Sequence, residues 1–371
     1  MSGLSRRNRS GSWMGVGDLT RRLRVRCVVV LCGGLLPTAL VAAETLTVAT
    51  LNCEFLVRRK VHMRYGLDFD PGKWTDQQRA EWTAEHRDRK FRESALAVAG
   101  VIRRIDADVI GLVEVGNAQD VRELYRYVQA QGELYPHLAI GQSTDTATGQ
   151  NVAVMSRLPI MRSLAALPGR ESYDRELDDP DSEDDTGVSK GMWVQIEAGG
   201  APVYIYVLHL SSERGGHEKD AQRIAQASVV RRNYLRQLVA GQHVVVMGDL
   251  NDHRGQPALR RIRGRDDIQE DLLQTAGPTF VSRRGGESFA DYGRRLSNHW
   301  TYEFNGQRRQ LDHVLISQSL KARCKVAGKM TGIEVEFLDA TTGTNKPQSV
   351  SDHRAVKLRM QFASPAGTQS R

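Results

Sequence analysis

Residues Val244–Asp252 read VVVMGDLND: four apolar side chains, a glycine, then a turn carrying two aspartates and an asparagine. A continuous apolar run closed by glycine marks a strand covered on both faces. Polar groups just past such a strand are where α/β proteins concentrate their chemistry. Asp249 and Asn251 are therefore the first candidate functional residues.

Working outward, TLTVATL (Thr45–Leu51) alternates, is β-branched and reads as a strand. Asn52 and Glu54 follow two apart, which by strand alternation places both on one face. Val57–Asp88 is polar, with Trp74 and Trp82 scattered in it, and reads as an inserted loop or irregular helix. From Arg89 the spacing becomes helical, with Phe91, Ala95, Val98, Ile102 and Ile105 on one stripe. DVIGLVEV (Asp108–Val115) is a second apolar strand with Glu114 at its exit, and DVRELYRYVQAQ after it reads as a helix. QNVAVMS, GMWVQIEA and PVYIYVLHL are further strands, the last two a hairpin across GGAP, with His209 ending the second. A helix over about Glu218–Val239 leads back to the opening stretch. Beyond it HWTYEFNG, RRQLDHVLIS and SDHRAVKLRMQF are strand-like. No repeat and no Pro- or Ser-rich linker divides residues 44–362. Helix–strand alternation in the first half and hairpins in the second predict one α/β domain, a layered sandwich with mixed sheets.

Polar residues collect at the strand exits: Asn52, Glu54, Glu114, His209, Asp249, Asn251, Asp312, Asp352 and His353. Carboxylates crowded into one cleft raise one another's pKa unless a counter-charge is present. A hard divalent cation supplies it. Oxygen donors without thiolates point to Mg²⁺ or Mn²⁺, with Ca²⁺ as an alternative, rather than zinc. The two histidines remain for proton transfer or charge stabilisation.

Taken in order, LNCE, VIGLVEV, VLHLSS, VVVMGDLND, LDHVLIS and SDHRAV resemble the endonuclease/exonuclease/phosphatase superfamily, which has the deoxyribonuclease I fold. The resemblance covers residues 45–362. It implies a four-layer α/β/β/α sandwich of two mixed β-sheets with helices on both outer faces, and metal-dependent hydrolysis of phosphoesters. Carried over by motif, Glu114 is the main metal carboxylate, helped by Asn52, with Glu54 and Asp352 as further acidic metal neighbours. His353 matches the catalytic histidine, and Asp312 the carboxylate that fixes its tautomer. Asp249 would position or deprotonate water, Asn251 would donate to a phosphate oxygen, and His209 matches a second histidine of the deoxyribonuclease and phosphatase branches. His313, His243, His62, His86 and His137 read as structural or surface histidines.

The first 43 residues hold seven arginines, one aspartate and an apolar stretch Val28–Val41 before VAAE, the layout of a secretory signal peptide cut after Ala43. An uncleaved anchor is the alternative, and the apolar stretch is short for a span. Without that segment the formal charge of +8 falls to +2. Asp174–Asp185 alone carries eight acids and one arginine, reads as a solvated loop, and leaves the remaining body at about +9, suited to a polyanion. Arg254–Arg265 fits either a phosphate grip or a solvated helical face. Of four cysteines only Cys53 and Cys324 lie outside the leader, and a buried Cys53 thiol is expected over a disulfide. Residues 363–371 form a tail with nothing to bury.

Three functional readings follow. The first is a secreted or periplasmic monomeric nuclease acting on DNA or RNA, with no stable membrane insertion once the leader is removed. The second is a phosphodiesterase or phosphatase of the same fold acting on lipid head groups, sphingomyelinase-like, or on inositol phosphates. The third is a binding module that kept the fold and lost activity.

Overall fold

The computed structural model describes residues 45–363 apart from 131, 133, 177–178, 254, 265–270, 276–284, 325–331 and 343–347. The expected leader and all but the first residue of the expected tail lie outside that range. Two six-stranded sheets dominate. The first runs in the order Ile333–Leu338, Ala355–Gln361, Thr45–Leu56, Val109–Val115, Asn151–Ser156, His137–Ile140. The second runs Leu272–Gln274, Asp312–Ser317, His243–Asp249, Ala201–His209, Gly191–Ala198, Arg162–Leu164. Each sheet contains one parallel pair, Thr45–Leu56 with Val109–Val115 and His243–Asp249 with Ala201–His209, and is otherwise antiparallel.

Alternation within the strands explains the layers. Leu46 and Val48 point into a core shared with Ile205, Val207, Val245 and Met247 of the second sheet. Ala49 and Leu51, one step on, face Phe91, Val98 and Ile102 of the helix Ala84–Ile105. On the far side Tyr206, Leu208, Val244 and Val246 meet Val230 and Tyr234 of the helix Gly216–Val239 and Leu259 of Pro257–Arg263. The result is the expected α/β/β/α sandwich, and it is why VVVM is apolar on both faces. Each fully buried Val or Leu contributes about 1.5–3 kcal/mol of transfer free energy.

Helix boundaries extend past the apolar stripe where polar caps extend them. The helix predicted from Arg89 starts at Ala84, because the Thr83 hydroxyl accepts from the His86 N–H at 3.1 Å. It ends at Asp106 in a left-handed conformation, φ 53°. The insert contains two 3₁₀ turns, Arg58–Tyr65 and Pro71–Lys73, and a short helix Asp76–Glu81 closed by a Thr75–Gln78 capping box. Trp74, Trp82 and His62 pack edge to face at centroid distances of 4.9–6.3 Å, so the tryptophans are internal staples of the insert. The described acids of the acidic run are exposed as expected; its ends belong to a two-stranded ribbon, Glu171–Asp174 paired with Glu183–Thr186, and the segment between them, with a 3₁₀ turn at Pro180–Ser182, joins the two strands as a loop. Of the stretch Arg254–Arg265, Arg254 and Arg265 lie outside the described residues; the rest contributes the outer-layer helix Pro257–Arg263, whose Ala258, Leu259 and Ile262 are buried and whose Arg260, Arg261 and Arg263 lie outside the lining of the cleft described below. Cys53 and Cys324 are buried free thiols, and burial pushes the Cys53 thiol up to about 12. Among the described residues no helix is long and apolar enough to cross a membrane.

Candidate active site

The two parallel pairs deliver the site. Parallel neighbours end on the same side of the sheet, so Asn52 and Glu114 emerge together from the first sheet, while His209 and Asp249 are register partners at the end of the second. Asp312 pairs with Asp249 from the other side. Gly248 permits this convergence: its φ is 135°, and a Cβ there would lie 2.0 Å from the Leu208 carbonyl oxygen of the adjacent strand.

All nine residues singled out from the sequence meet here. Glu54, Glu114, His209, Asp249, Asn251, Asp352 and His353 line one cleft of about 950 Å³. Asn52 and Asp312 are fully buried behind it. The Asn52 amide nitrogen donates to both Glu114 Oε1 and Asp249 Oδ2 at 3.1 Å, tying the sheets together at the level of the cleft. Its carbonyl oxygen accepts the Glu54 N–H at 2.8 Å, so in this arrangement Asn52 helps Glu114 by orienting it. Glu114 Oε2 accepts the Phe55 N–H at 2.8 Å. His209 Nε2 lies 3.8 Å from Glu114 Oε1 and 3.9 Å from Asp249 Oδ2. Asn251 donates its backbone N–H to Asp249 Oδ1 at 2.9 Å and one side-chain hydrogen to the Leu210 carbonyl at 3.0 Å. His353 Nδ1 sits 2.7 Å from Asp312 Oδ2, a fully buried carboxylate, while Nε2 lies 4.0 Å from the half-exposed Asp352.

Glu54 reaches the cleft as expected, but not by alternation: Glu54 and Phe55 both have φ 48°, and the pairing with Val109–Val115 slips between Asn52 and Leu56. A bulge, which the alternating pattern does not encode, re-aims the side chain. Glu54, Phe55, Glu114 and Asn251 are four of the six non-glycine residues with positive φ among the described residues, so backbone strain is concentrated at this cleft.

The electrostatics fit a cation. Burial pushes Glu54 up to about 7 against the opposing Arg64, with Asp352 and Glu114 adding to the rise. Burial likewise raises Glu114, despite the Phe55 N–H, and raises Asp249, with Asp312 next in effect. Three carboxylates held above their ordinary range in one cleft are what a hard divalent cation would restore to full charge. Carboxyl oxygens of Glu114, Glu54, Asp249 and Asp352 are the donors available to hold it. Glu114, His209 and Asp249 place ligand atoms within 4.8 Å of one another, as do Asp249, Asp312 and His353, and Asp249 belongs to both groups. The histidines divide. Burial and the nearby Lys190 push His209 well below its usual value. Burial works in the same direction on His353, but the charge and hydrogen bond of Asp312 outweigh it and raise His353 well above its usual value. The two imidazoles are thus pushed in opposite directions, His209 toward its neutral form and His353 toward its cationic form.

Several contributors have no signal in the sequence. Arg64, in the insert, donates to the carbonyls of Cys53, Glu54 and Val350, pinning the bulged strand end to the loop before Asp352. The Ser351 hydroxyl donates to the Asn52 carbonyl at 2.8 Å and accepts the His353 N–H at 3.0 Å. Thr301 Oγ1 accepts from the N–H groups of Leu311 and Asp312, both at 3.0 Å. Tyr302 packs on the His353 ring at 4.8 Å. The expected structural histidines behave as such: His313 is fully buried and donates from Nε2 to the Asp252 carbonyl at 2.8 Å, and His243 Nδ1 meets Ser319 at 3.0 Å.

Solved structures with the same architecture include an endonuclease/exonuclease/phosphatase family protein from Bacteroides thetaiotaomicron, 14% identical over 86% of this chain and 95% of that one, TM-score 0.50. A beta toxin mutant from Staphylococcus aureus with bound magnesium ions is 15% identical over 84% and 98%, TM-score 0.49. Truncated TDP2 from Caenorhabditis elegans is 15% identical over 86% and 98%, TM-score 0.48. No curated protein matches the sequence. The model of the Endonuclease/Exonuclease/phosphatase family matches residues 49–353, which include every site residue named above and all of the second sheet. The chain belongs to the endonuclease/exonuclease/phosphatase family.

Proposed function

We propose that this protein is an exported, divalent-cation-dependent phosphodiesterase that acts as an endonuclease on DNA or RNA. The observation that carries the proposal is the joining of the Asp312–His353 dyad and the Glu114–Asn52–Asp249–His209 cluster through Asp249 in one cleft. A bound Mg²⁺ or Mn²⁺ would offset the charge of the phosphodiester and polarise its oxygen. The protein's own residues do the rest. Asp249, oriented by Asn52 and the Asn251 N–H, accepts the proton of the attacking water as its oxygen bonds to phosphorus. Asn251 keeps its second amide hydrogen for a phosphoryl oxygen. His353, held at Nδ1 by Asp312, presents Nε2–H to the oxygens that gain charge as the P–O ester bond breaks. His209, pushed toward its neutral form, offers Nε2 on the Glu114 side of the same cleft. Loss of one such donor typically slows an enzyme about 10²–10³-fold.

The basic body outside the acidic ribbon favours a polyanion, and the tryptophans that could have served a lipid surface are spent inside the insert, Trp74 being 8% exposed. The leader layout of residues 1–43 supports export. The test is a panel of plasmid, single-stranded DNA, RNA, sphingomyelin vesicles and methyl 4-nitrophenyl phosphate, each with Mg²⁺ and with EDTA. Cation-dependent internal nicking of DNA or RNA is the expected result. Turnover of sphingomyelin with both nucleic acids left intact would reject the nuclease reading. N-terminal sequencing of the mature protein checks export, with Glu44 expected as the first residue.

A further inference from the structure

The strands Tyr302–Phe304 and Gln307–Arg309 form a hairpin at the edge of the catalytic cleft, with Asn305 and Gly306 in left-handed conformations, φ 49° and 75°, making the two-residue turn. Three features of it are unused by the mechanism. Tyr302 and Phe304 lie on one face of the strand, both line the cleft, and their rings are parallel within 6° at a centroid distance of 6.4 Å. Phe304 is 54% exposed, unusual for a large apolar side chain beside a polar site. Arg214 donates to the Tyr302 hydroxyl at 3.2 Å and holds its guanidinium 5.3 Å from the Phe304 ring, so positive charge accompanies the aromatic pair. The hairpin is also fixed to the chemistry: Tyr302 forms an antiparallel bridge with His353, and the Arg354 N–H donates to the Thr301 carbonyl at 2.7 Å.

We propose that Tyr302 and Phe304 are a stacking platform for an unpaired nucleobase next to the scissile phosphate, so that the preferred substrate is single-stranded nucleic acid. The inference rests on the nuclease reading above and deepens it. An exposed ring beside a guanidinium, next to a phosphoester site, offers a π face for a base and charge for its backbone, the pairing that single-strand binding uses. A base inside a duplex has both faces covered by its neighbours and cannot lie on Phe304. A lipid surface fits less well, because the part of the hairpin that would enter it first is Asn305–Gly306–Gln307, which is polar.

The test compares a single-stranded oligonucleotide with the same strand annealed to its complement, for the wild type and for Phe304→Ala and Phe304→Trp. The wild type is expected to cleave the single strand faster. Phe304→Ala should lower kcat/KM on the single strand about 5- to 150-fold, the range that base–aromatic stacking supplies. Its effect on the duplex should stay within about threefold, and Phe304→Trp, which keeps a π face, should hold single-strand cleavage within about threefold of wild type. Thermal melts matching the wild type establish that the variants are folded. Single-strand cleavage by Phe304→Ala within twofold of wild type, or equal losses on both substrates, would overturn the platform. So would Phe304-dependent sedimentation with sphingomyelin vesicles. A wild type that hydrolyses methyl 4-nitrophenyl phosphate but cuts neither oligonucleotide defeats the nuclease reading itself, an outcome distinct from wild-type cleavage that is indifferent to Phe304.

Discussion

Gly248 is the position at which a single methyl group should do most damage. Alanine there meets two penalties. Its φ of 135° lies where L side chains are rarely found, a strain of about 1–3 kcal/mol. Its Cβ would lie 2.0 Å from the Leu208 carbonyl oxygen, so strand must separate from strand by about 1.4 Å or more to restore ordinary contact. The displaced atom is backbone in the parallel ladder between Ala201–His209 and His243–Asp249, and each hydrogen bond lost there costs about 1 kcal/mol more. With about three such bonds lost the total is about 4–6 kcal/mol, a large share of the roughly 5–15 kcal/mol that holds a domain together. Urea denaturation followed by far-UV circular dichroism should show a midpoint lowered by more than about 1 M, taking an m-value near 3 kcal/mol/M. Gly100→Ala is the matched control, since Gly100 lies within the helix Ala84–Ile105 with nothing within 4 Å of its would-be Cβ. It should stabilise the fold by about 0.5–1 kcal/mol. A Gly248→Ala protein within about 1 kcal/mol of wild type would refute the claim that this close approach sets His209 beside Asp249.

Other perturbations test other links. Asp312→Asn keeps the shape of the buried partner of His353 but cannot hold the Nδ1–H tautomer; kcat should fall about 10²–10⁴-fold with KM nearly unchanged, and a loss below threefold would remove Asp312 from the mechanism. Arg64→Ala should lower kcat about 10- to 100-fold, and Arg64→Lys should not rescue it, because one ammonium cannot span the three carbonyls; full activity in either variant would reduce Arg64 to packing. Burial drives His313 down to about 4, so the unfolded chain takes up its proton first on acidification. Its contribution is complete above pH 6.5 and is lost as pH falls from 6.5 to 4, by about 3 kcal/mol at most. Urea midpoints at pH 7.5 and pH 5 should therefore differ more in wild type than in His313→Gln, and equal differences would contradict the assignment. If the cleft holds a divalent cation, Mg²⁺ at 100 times its dissociation constant should stabilise the protein by about 2.7 kcal/mol, raising its melting temperature, and Glu114→Gln should abolish that rise.

The sequence by itself determined the layers and the identities at their ends. Apolar runs such as VVVM and VIGLV, short and β-branched, read as strands covered on both faces, and the stripe from Phe91 to Ile105 reads as a helix with one buried side; both readings rest on the local pattern of side chains, which any chain segment carries in itself. Polar residues at the exits of those strands could be named for the same reason. The tertiary structure decided how they meet. The bulge that turns Glu54 into the cleft, Asn52 spanning Glu114 and Asp249, Arg64 reaching three carbonyls from an insert with no pattern, and Tyr302 lying on His353 all join residues far apart in the chain. The opposed shifts of His209 and His353 arise in the same way, since burial acts on both and the carboxylates around His353, Asp312 foremost with Asp249 and Asp352, reverse its effect there. Pairing across long loops and the field inside a dry cleft are properties of the assembled core, and no local pattern of residue types encodes them.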